Sequence, residues 1–126
     1  MNLKKIIRII PSILWMAVIF YFSSRQTTGI GGTNQTNRFL ILKSFHLIEY
    51  AFLAFLLSFA IFKKKWVVII AYLYAISDEF HQSFTPGRTS RFRDTLIDLI
   101  GIFIGVFIFQ KIISFKSFKR IKNNLY

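Results

Sequence analysis

Residues 75–105 read AISDEFHQSFTPGRTSRFRDTLIDLIGIFIG, a polar centre between two apolar flanks. The centre, residues 77–98, holds four of the five acidic residues of the chain and one of its two histidines. Pro86-Gly87 divides the stretch, and such a pair ends a helix and turns the chain. The stretch therefore predicts two apolar helices joined by a polar turn, with ionisable groups on both sides of that turn.

Two further apolar segments precede this stretch. The four predicted helices cover about residues 6–22, 46–62, 66–84 and 94–113. Each is close to the roughly 20 residues that span a bilayer core of about 30 Å. The sequence thus predicts an all-α, polytopic membrane protein, with four transmembrane helices in one compact bundle and a single domain over 1–126.

The remaining segments give more local expectations. Residues 23–43 are expected to form a polar loop, and Pro11 is expected in the first turns of its helix, where a missing N–H is tolerated. The basic, amphipathic tail, residues 114–126, is expected to lie on the membrane surface. Gly101 and Gly105 have the small-xxx-small spacing that lets another helix approach closely.

The composition limits the function classes. The chain has 126 residues, 54% of them hydrophobic, and no cysteine, which excludes disulfides, thiolate chemistry and Cys-based zinc sites. Its net charge is +12, but the basic residues flank apolar runs, which is typical of membrane anchors and predicts no nucleic-acid partner. Eleven basic residues fall on the side of the two termini and six on the other side, which favours cytoplasmic termini.

The four-helix topology brings the ionisable groups of helices two, three and four to one membrane face. Because ionisable groups at membrane depth are costly, a cluster of them indicates a functional site. The candidate catalytic residues are His46, Glu49, Asp78, Glu79, His81, Asp94 and Asp98. Helical spacing places most of them in three stripes, with Glu79 on another face. Gln82, Arg88 and Tyr50 are the candidate substrate-binding residues.

These residue types suit phosphate chemistry. Either histidine could act as general base, acid or nucleophile, with a carboxylate beside it to orient the ring. The planar fork of Arg88 could bind phosphate oxygens in pairs. Two alternatives stay open: a divalent metal held by histidine and carboxylate ligands, although no metal ligand is assigned, and polar groups that only tie the helices together.

The same residues carry a family resemblance. FHLIEYAFLA, residues 45–54, resembles the H-x-x-E-Y segment of the VanZ-like family of small bacterial membrane proteins. The stretch at 75–105 resembles that family's longer motif, D-E-x-H-Q-x-F-x-P-G-R, followed by D-x-x-x-D and G-x-x-x-G. Trp15 and IFYFSS, residues 19–24, also fit its first helix, so that the resemblance covers about residues 12–109.

The resemblance implies a multi-pass protein of the bacterial cell membrane that contributes to resistance against the glycopeptide teicoplanin. Similar bundles act on lipid headgroups, which implies a lipid-headgroup phosphoesterase or transferase with membrane lipids as partners and no assigned cofactor. One alternative is a non-catalytic protein that binds a lipid-linked cell-wall precursor or the antibiotic. A proton-coupled carrier is a weaker alternative, because four helices without an internal repeat make a poor carrier.

Overall fold

The computed structural model describes residues 3–27, 29, 31–88, 90–114 and 120. The described residues form four α-helices, and a short 3-10 turn at Phe92–Asp94 directly precedes the last of them. The helices are α1 (Leu3–Ser23), α2 (Gln35–Ala60), α3 (Lys64–Gln82) and α4 (Thr95–Ser114). The all-α prediction is confirmed. The predicted tail at 114–126 lies almost wholly outside the described residues.

Three stretches of the described residues are long and apolar enough to cross a membrane: Leu3–Ser23, Gln35–Ala60 and Phe92–Ser114. The third helix is 19 residues long but falls outside this group. Its first turn contains lysines, and its last turns contain Asp78, Glu79, His81 and Gln82, which lower its hydropathy. Length and composition therefore establish three candidate spans, and a membrane span at α3 stays a prediction.

The closest helix pair is α2 with α4, which run in the same direction. Gly101 and Gly105 of α4 face the main-chain carbonyl oxygens of Leu47 and Ala51 on α2, and a Cβ at either glycine would overlap those oxygens. The close approach expected from the small-xxx-small spacing is thus present, with its partner helix identified as α2.

The apolar core lies between the helices, around Ile19, Leu53, Leu57, Ala71 and Ile102. Most of the remaining large apolar side chains point outward, including many of the phenylalanines. A soluble domain would bury such side chains, so this outward-facing apolar surface is suited to lipid.

Two local expectations are wrong. The second helix begins at Gln35, not near His46, because Asn34 caps it by accepting hydrogen bonds from the amides of Thr36 and Asn37. The polar loop therefore ends at Asn34, and residues 35–43 are helical. Pro11 lies inside α1, because that helix begins at Leu3, before the predicted start, and therefore runs for about two turns before the proline.

The ends of α1 and α3 and the starts of α2 and α4 lie together, and we name this the polar end of the bundle. Gly87, in the turn after α3, has a φ of +79°, a left-handed conformation that suits glycine. Its carbonyl oxygen accepts hydrogen bonds from Thr27 Oγ1 (3.2 Å) and an Arg38 terminal nitrogen (2.6 Å). These contacts hold the connections around the polar end against one another.

Candidate functional site

A connected set of buried polar side chains lies at the polar end, inside the bundle. We name it the polar network, and its members are Ser23, His46, Tyr50, Asp78, Gln82 and Asp98. All four helices contribute, and all six residues are buried. Of the residues predicted for one shared site, the structure thus brings five together: His46, Tyr50, Asp78, Gln82 and Asp98.

Asp78 is the acceptor at the centre of the polar network. Its Oδ1 accepts a hydrogen bond from the Ser23 hydroxyl. Its Oδ2 accepts from the Tyr50 hydroxyl and from the Gln82 amide, each at 3.0 Å. Because three donors from three helices surround both oxygens, Asp78 joins α1, α2 and α3, and its carboxylate is already occupied by the protein.

His46 and Asp98 form a buried pair between α2 and α4. Their Nδ1 and Oδ1 atoms are 3.3 Å apart, an ion-pair contact that lacks the alignment of a full hydrogen bond. A proton on Nδ1 would face the carboxylate, which leaves Nε2 as the free acceptor of the ring. Asp98 thus stands where a carboxylate can orient a histidine base.

The Gln82 amide nitrogen links both halves of the network. It lies 2.7 Å from Ser23 Oγ, 3.0 Å from Asp78 Oδ2 and 3.3 Å from His46 Nε2. An amide group has two hydrogens, so it cannot donate to all three acceptors at once. The contact with His46 is the longest, which makes Nε2 the acceptor that Gln82 can most readily leave.

The structure places Glu79 away from this network. Its Oε1 accepts a hydrogen bond from the main-chain amide of Arg91 at 2.9 Å, and its carbonyl accepts from the Ser90 hydroxyl at 2.7 Å. Its Oε2 is buried and has no hydrogen-bond partner among the described residues. Glu79 thus fixes the connection between α3 and α4, and its side chain lies on a different face from Asp78 and Gln82, in agreement with the helical spacing.

The other candidate histidine, His81, is also outside the network. Its ring stacks on Phe20 of α1, with centroids 4.2 Å apart, and its buried Nδ1 has no hydrogen-bond partner among the described residues. The predicted stripe of Asp78, His81 and Gln82 is therefore divided, because only its first and last members reach the network.

Glu49, predicted beside His46, is half-buried on α2. Its carboxylate makes no hydrogen bond to the residues that the structure describes, although its main-chain carbonyl accepts from the Trp15 indole at 2.9 Å. The structure thus gives Glu49 a helix-packing contact and no direct partner in the network.

Arg88 binds the end of the first helix. Its guanidinium donates to the carbonyl oxygens of Phe22 (2.8 Å) and Arg25 (3.2 Å), which lie at the end of α1 and just beyond it. Burial lowers the pKa of Arg88, while the carboxylates of Asp78, Glu49 and Glu79 oppose that shift. The side chain predicted to bind phosphate is therefore already bound to the main chain.

Asp94 forms an ion pair with Lys43, a residue that the sequence did not single out. The Lys43 ammonium and Asp94 Oδ2 are 2.9 Å apart, and both side chains are largely buried. Lys43 lies one helical turn before His46 on α2, and Asp94 lies directly before α4. The pair therefore joins these two helices beside the polar network. Asp94 binds Lys43, whereas Asp98 binds His46, so the two aspartates have different partners.

A pocket of about 690 Å³ opens at the polar end, and we name it the basic pocket. His46 and Gln82 of the polar network line it, together with five basic residues and one acidic residue. The charged residues are Arg38, Lys43, Arg88, Arg91, Arg93 and Asp94. Apolar side chains line another part of the wall: Phe39, Leu42, Leu96 and Ile97.

Two arginines of the basic pocket remain available to a ligand. Arg91 and Arg93 are exposed, and neither side chain forms a hydrogen bond or ion pair with the described residues. From the sequence, each of these two arginines is more readily interpreted as an anchor at the membrane surface, where flanking arginines usually lie. Ser23 was not predicted as a site residue, and its only signal in the sequence is its position at the polar end of the first helix.

No group of three or more His, Cys, Asp or Glu side chains within the described parts of the chain is placed to hold a metal ion. The polar network contains two carboxylates and one imidazole, but Asp78 is enclosed by donors on both oxygens. What the arrangement offers chemically is one oriented histidine beside a cationic pocket.

Comparison with known proteins gives one family. The family model described as VanZ/LLP1 matches residues 8–115, a range that includes the polar network and the basic pocket. No curated protein and no solved structure was found to match the chain.

Proposed function

Because this chain belongs to the VanZ-like family, we propose that it is a multi-pass protein of the bacterial cell membrane that acts on the phosphate of a lipid headgroup. All four helices span the bilayer in this proposal. The third has 19 residues and so extends about 28 Å, close to the core thickness of about 30 Å. The polar end faces outward and the termini are cytoplasmic, in agreement with the distribution of basic residues.

One observation carries the proposal: a buried histidine, paired with a carboxylate, lies in the wall of a strongly cationic pocket. Positive charge in the pocket suits an anionic ligand, and the uncommitted guanidinium groups of Arg91 and Arg93 suit phosphate oxygens. The apolar wall at Phe39 and Leu96 suits the hydrocarbon chain of a lipid. The combination favours an amphiphilic anion over a soluble one.

The proposed chemistry uses His46 as general base. Its Nε2 takes a proton from water, the water oxygen bonds to phosphorus, and the bond from phosphorus to an ester or bridging oxygen of the lipid breaks. The imidazolium returns the proton to the departing oxygen, while Asp98 stabilises the charged ring. A phosphoesterase follows from this scheme, and a transferase follows if an acceptor hydroxyl replaces water.

The two histidines form a matched pair for the test. We expect His46→Ala to abolish conversion of the lipid, since it removes the proposed base, and His81→Ala to retain it, since His81 stacks on Phe20 instead. Wild type and both variants would be placed in nanodiscs with total bacterial lipids and followed by lipid mass spectrometry. Conversion that persists in His46→Ala, or is lost only in His81→Ala, would contradict the assignment.

A second candidate function is binding without chemistry. It is favoured by the 3.3 Å contact from the Gln82 amide to His46 Nε2, because this contact covers the nitrogen that would take the proton. In that case a lipid-linked cell-wall precursor or the antibiotic would occupy the basic pocket unchanged. Wild type would then retain a lipid during purification but leave its composition constant.

A contribution to teicoplanin resistance is a separate proposal, supported by family membership alone. It predicts a higher inhibitory concentration of teicoplanin in cells that express the chain than in cells that express His46→Ala at equal level. Equal inhibitory concentrations in the two strains would remove resistance from the proposal and leave the lipid chemistry to be judged separately.

A further inference from the structure

The ion pair of Lys43 and Asp94 controls how much positive charge the basic pocket can offer. Both residues line the pocket, and their charged atoms are 2.9 Å apart. Asp94 is the single acidic residue among those that line it. The charge of Lys43 is therefore compensated by a carboxylate of the protein itself.

The other basic residues of the pocket are not equivalent. Arg38 donates to Thr27 Oγ1 and Gly87 O, each at 2.6 Å, and Arg88 donates to the end of α1. Both guanidinium groups keep their charge, but each has two of its five N–H donors bound to the protein. Arg91 and Arg93 can meet an anion directly, whereas Lys43 can do so only when the ligand displaces Asp94.

We infer that Asp94 is a specificity-determining residue, which makes the pocket favour lipids with a dianionic headgroup over those with a monoanionic one. The preferred class is a phosphomonoester or diphosphate lipid, and the disfavoured class is a phosphodiester. A single negative charge gains little by replacing Asp94 at Lys43, because one monoanion merely substitutes for another. A second charge leaves net attraction after the exchange.

The pocket walls explain why the ligand is a lipid. The α2 and α4 helices touch at Gly101 and Leu47, and the pocket lies beyond this contact, toward the polar end. Phe39 and Leu96, about half exposed, line it on the two helices. A hydrocarbon chain can thus leave the pocket sideways between α2 and α4, while the headgroup stays near Arg91.

This inference deepens the proposed function and rests on it, so the test separates the two. The probes are phosphatidic acid and phosphatidylmethanol with identical acyl chains, which differ by one methyl group on the phosphate. Near neutral pH the first carries about −1.5 to −2 and the second about −1. Native mass spectrometry of the purified full chain would measure the relative affinity for the two lipids in direct competition.

For wild type we expect phosphatidic acid to bind at least about fivefold more tightly, the ratio that corresponds to about 1 kcal/mol. In Asp94→Asn, Lys43 is released, so the affinity for phosphatidylmethanol should rise and the ratio should fall to about twofold or less. Arg25→Gln is the matched control, since Arg25 is exposed, contacts Tyr21 and does not line the pocket. It should keep the wild-type ratio.

A second variant keeps the test decisive if Asp94→Asn folds poorly. Lys43→Gln should reduce the affinity for phosphatidic acid and leave that for phosphatidylmethanol nearly unchanged. The ratio of the two affinities then falls because phosphatidic acid binds more weakly. A wild-type ratio that is preserved in both variants would overturn the role of Asp94. Inorganic phosphate that binds as tightly as phosphatidic acid would overturn the lipid as ligand.

The result also distinguishes this inference from the proposed function. If wild type binds both lipids equally and the double variant Arg91→Gln/Arg93→Gln loses both, headgroup binding stands and the selectivity role of Asp94 fails. If wild type binds neither lipid more tightly than that double variant does, the lipid-headgroup proposal fails as well.

Discussion

Replacement of Asp78 separates the structural role of its carboxylate from its charge. Asp78→Ala removes the acceptor of three buried hydrogen bonds, from Ser23, Tyr50 and Gln82. At about 0.6 to 1.7 kcal/mol for each hydrogen bond within a membrane bundle, the free energy of unfolding should fall by about 2 to 5 kcal/mol. Asp78→Asn should cost less than about 1 kcal/mol, because the network can rearrange around an amide.

That rearrangement follows from the geometry. In Asp78→Asn, an amide oxygen in place of Oδ2 still accepts from Tyr50 and Gln82. The amide nitrogen in place of Oδ1 can donate to Ser23, whose hydroxyl oxygen already accepts from Gln82 and has a second lone pair for this bond. The polar network therefore needs the shape of this side chain more than its negative charge.

The assay is reversible unfolding in mixed micelles with increasing dodecyl sulfate, followed by tryptophan fluorescence. Ser77→Ala is the matched control, because Ser77 is exposed and bonds only to the carbonyl of Tyr74 within α3. A loss of stability in Asp78→Asn as large as in Asp78→Ala would refute the reasoning and show that the charge itself is needed. Wild-type stability in Asp78→Ala would refute the contribution of the network.

Two further predictions concern the helix contacts. Gly105→Val should lower the free energy of unfolding by about 1 to 3 kcal/mol, because its side chain would overlap a main-chain oxygen of α2 that cannot rotate away. The control is Ile104→Val, on the exposed side of α4, which should leave the free energy of unfolding nearly unchanged in the same micelle assay. Arg88→Gln should reduce the thermal midpoint of the detergent-solubilised protein more than Arg91→Gln does, because only Arg88 binds the end of α1. Equal midpoints for the two arginine variants would contradict this assignment.

The helices were predictable where apolar runs are long and end at clear signals. Pro86-Gly87 marks the end of the α3 region well, and α4 begins at Thr95, the residue after its predicted start. The start of α2 was missed because its first turns, from Gln35, are polar, and the capping role of Asn34 depends on hydrogen bonds that the sequence alone does not reveal. The position of Pro11 within α1 was predicted wrongly because Lys4 and Lys5 interrupt the apolar pattern, although the helix begins before them, at Leu3.

The candidate site was predictable as a region but not as a set of partners. Spacing correctly joined His46 with Tyr50 and Asp78 with Gln82, since helical periodicity fixes which residues share a face. It could not show that Asp98 would meet His46, because that contact depends on how closely α4 approaches α2. Pairing across helices is set by packing, and packing here depends on the glycines of α4.

The contact at those glycines also determines how the site can move. Gly101 touches Leu47 main chain to main chain, so α2 and α4 can separate at the polar end only by pivoting about this point. From Gly101 to Asp94 the chain rises about 10 Å, and a tilt of about 10° would thus shift Asp94 by roughly 2 Å. The contact between Gly101 and Leu47 is thus the pivot of this motion. A ligand that forces the two helices apart at the polar end would press their opposite ends together, so occupancy of the site would be transmitted along the whole length of the bundle.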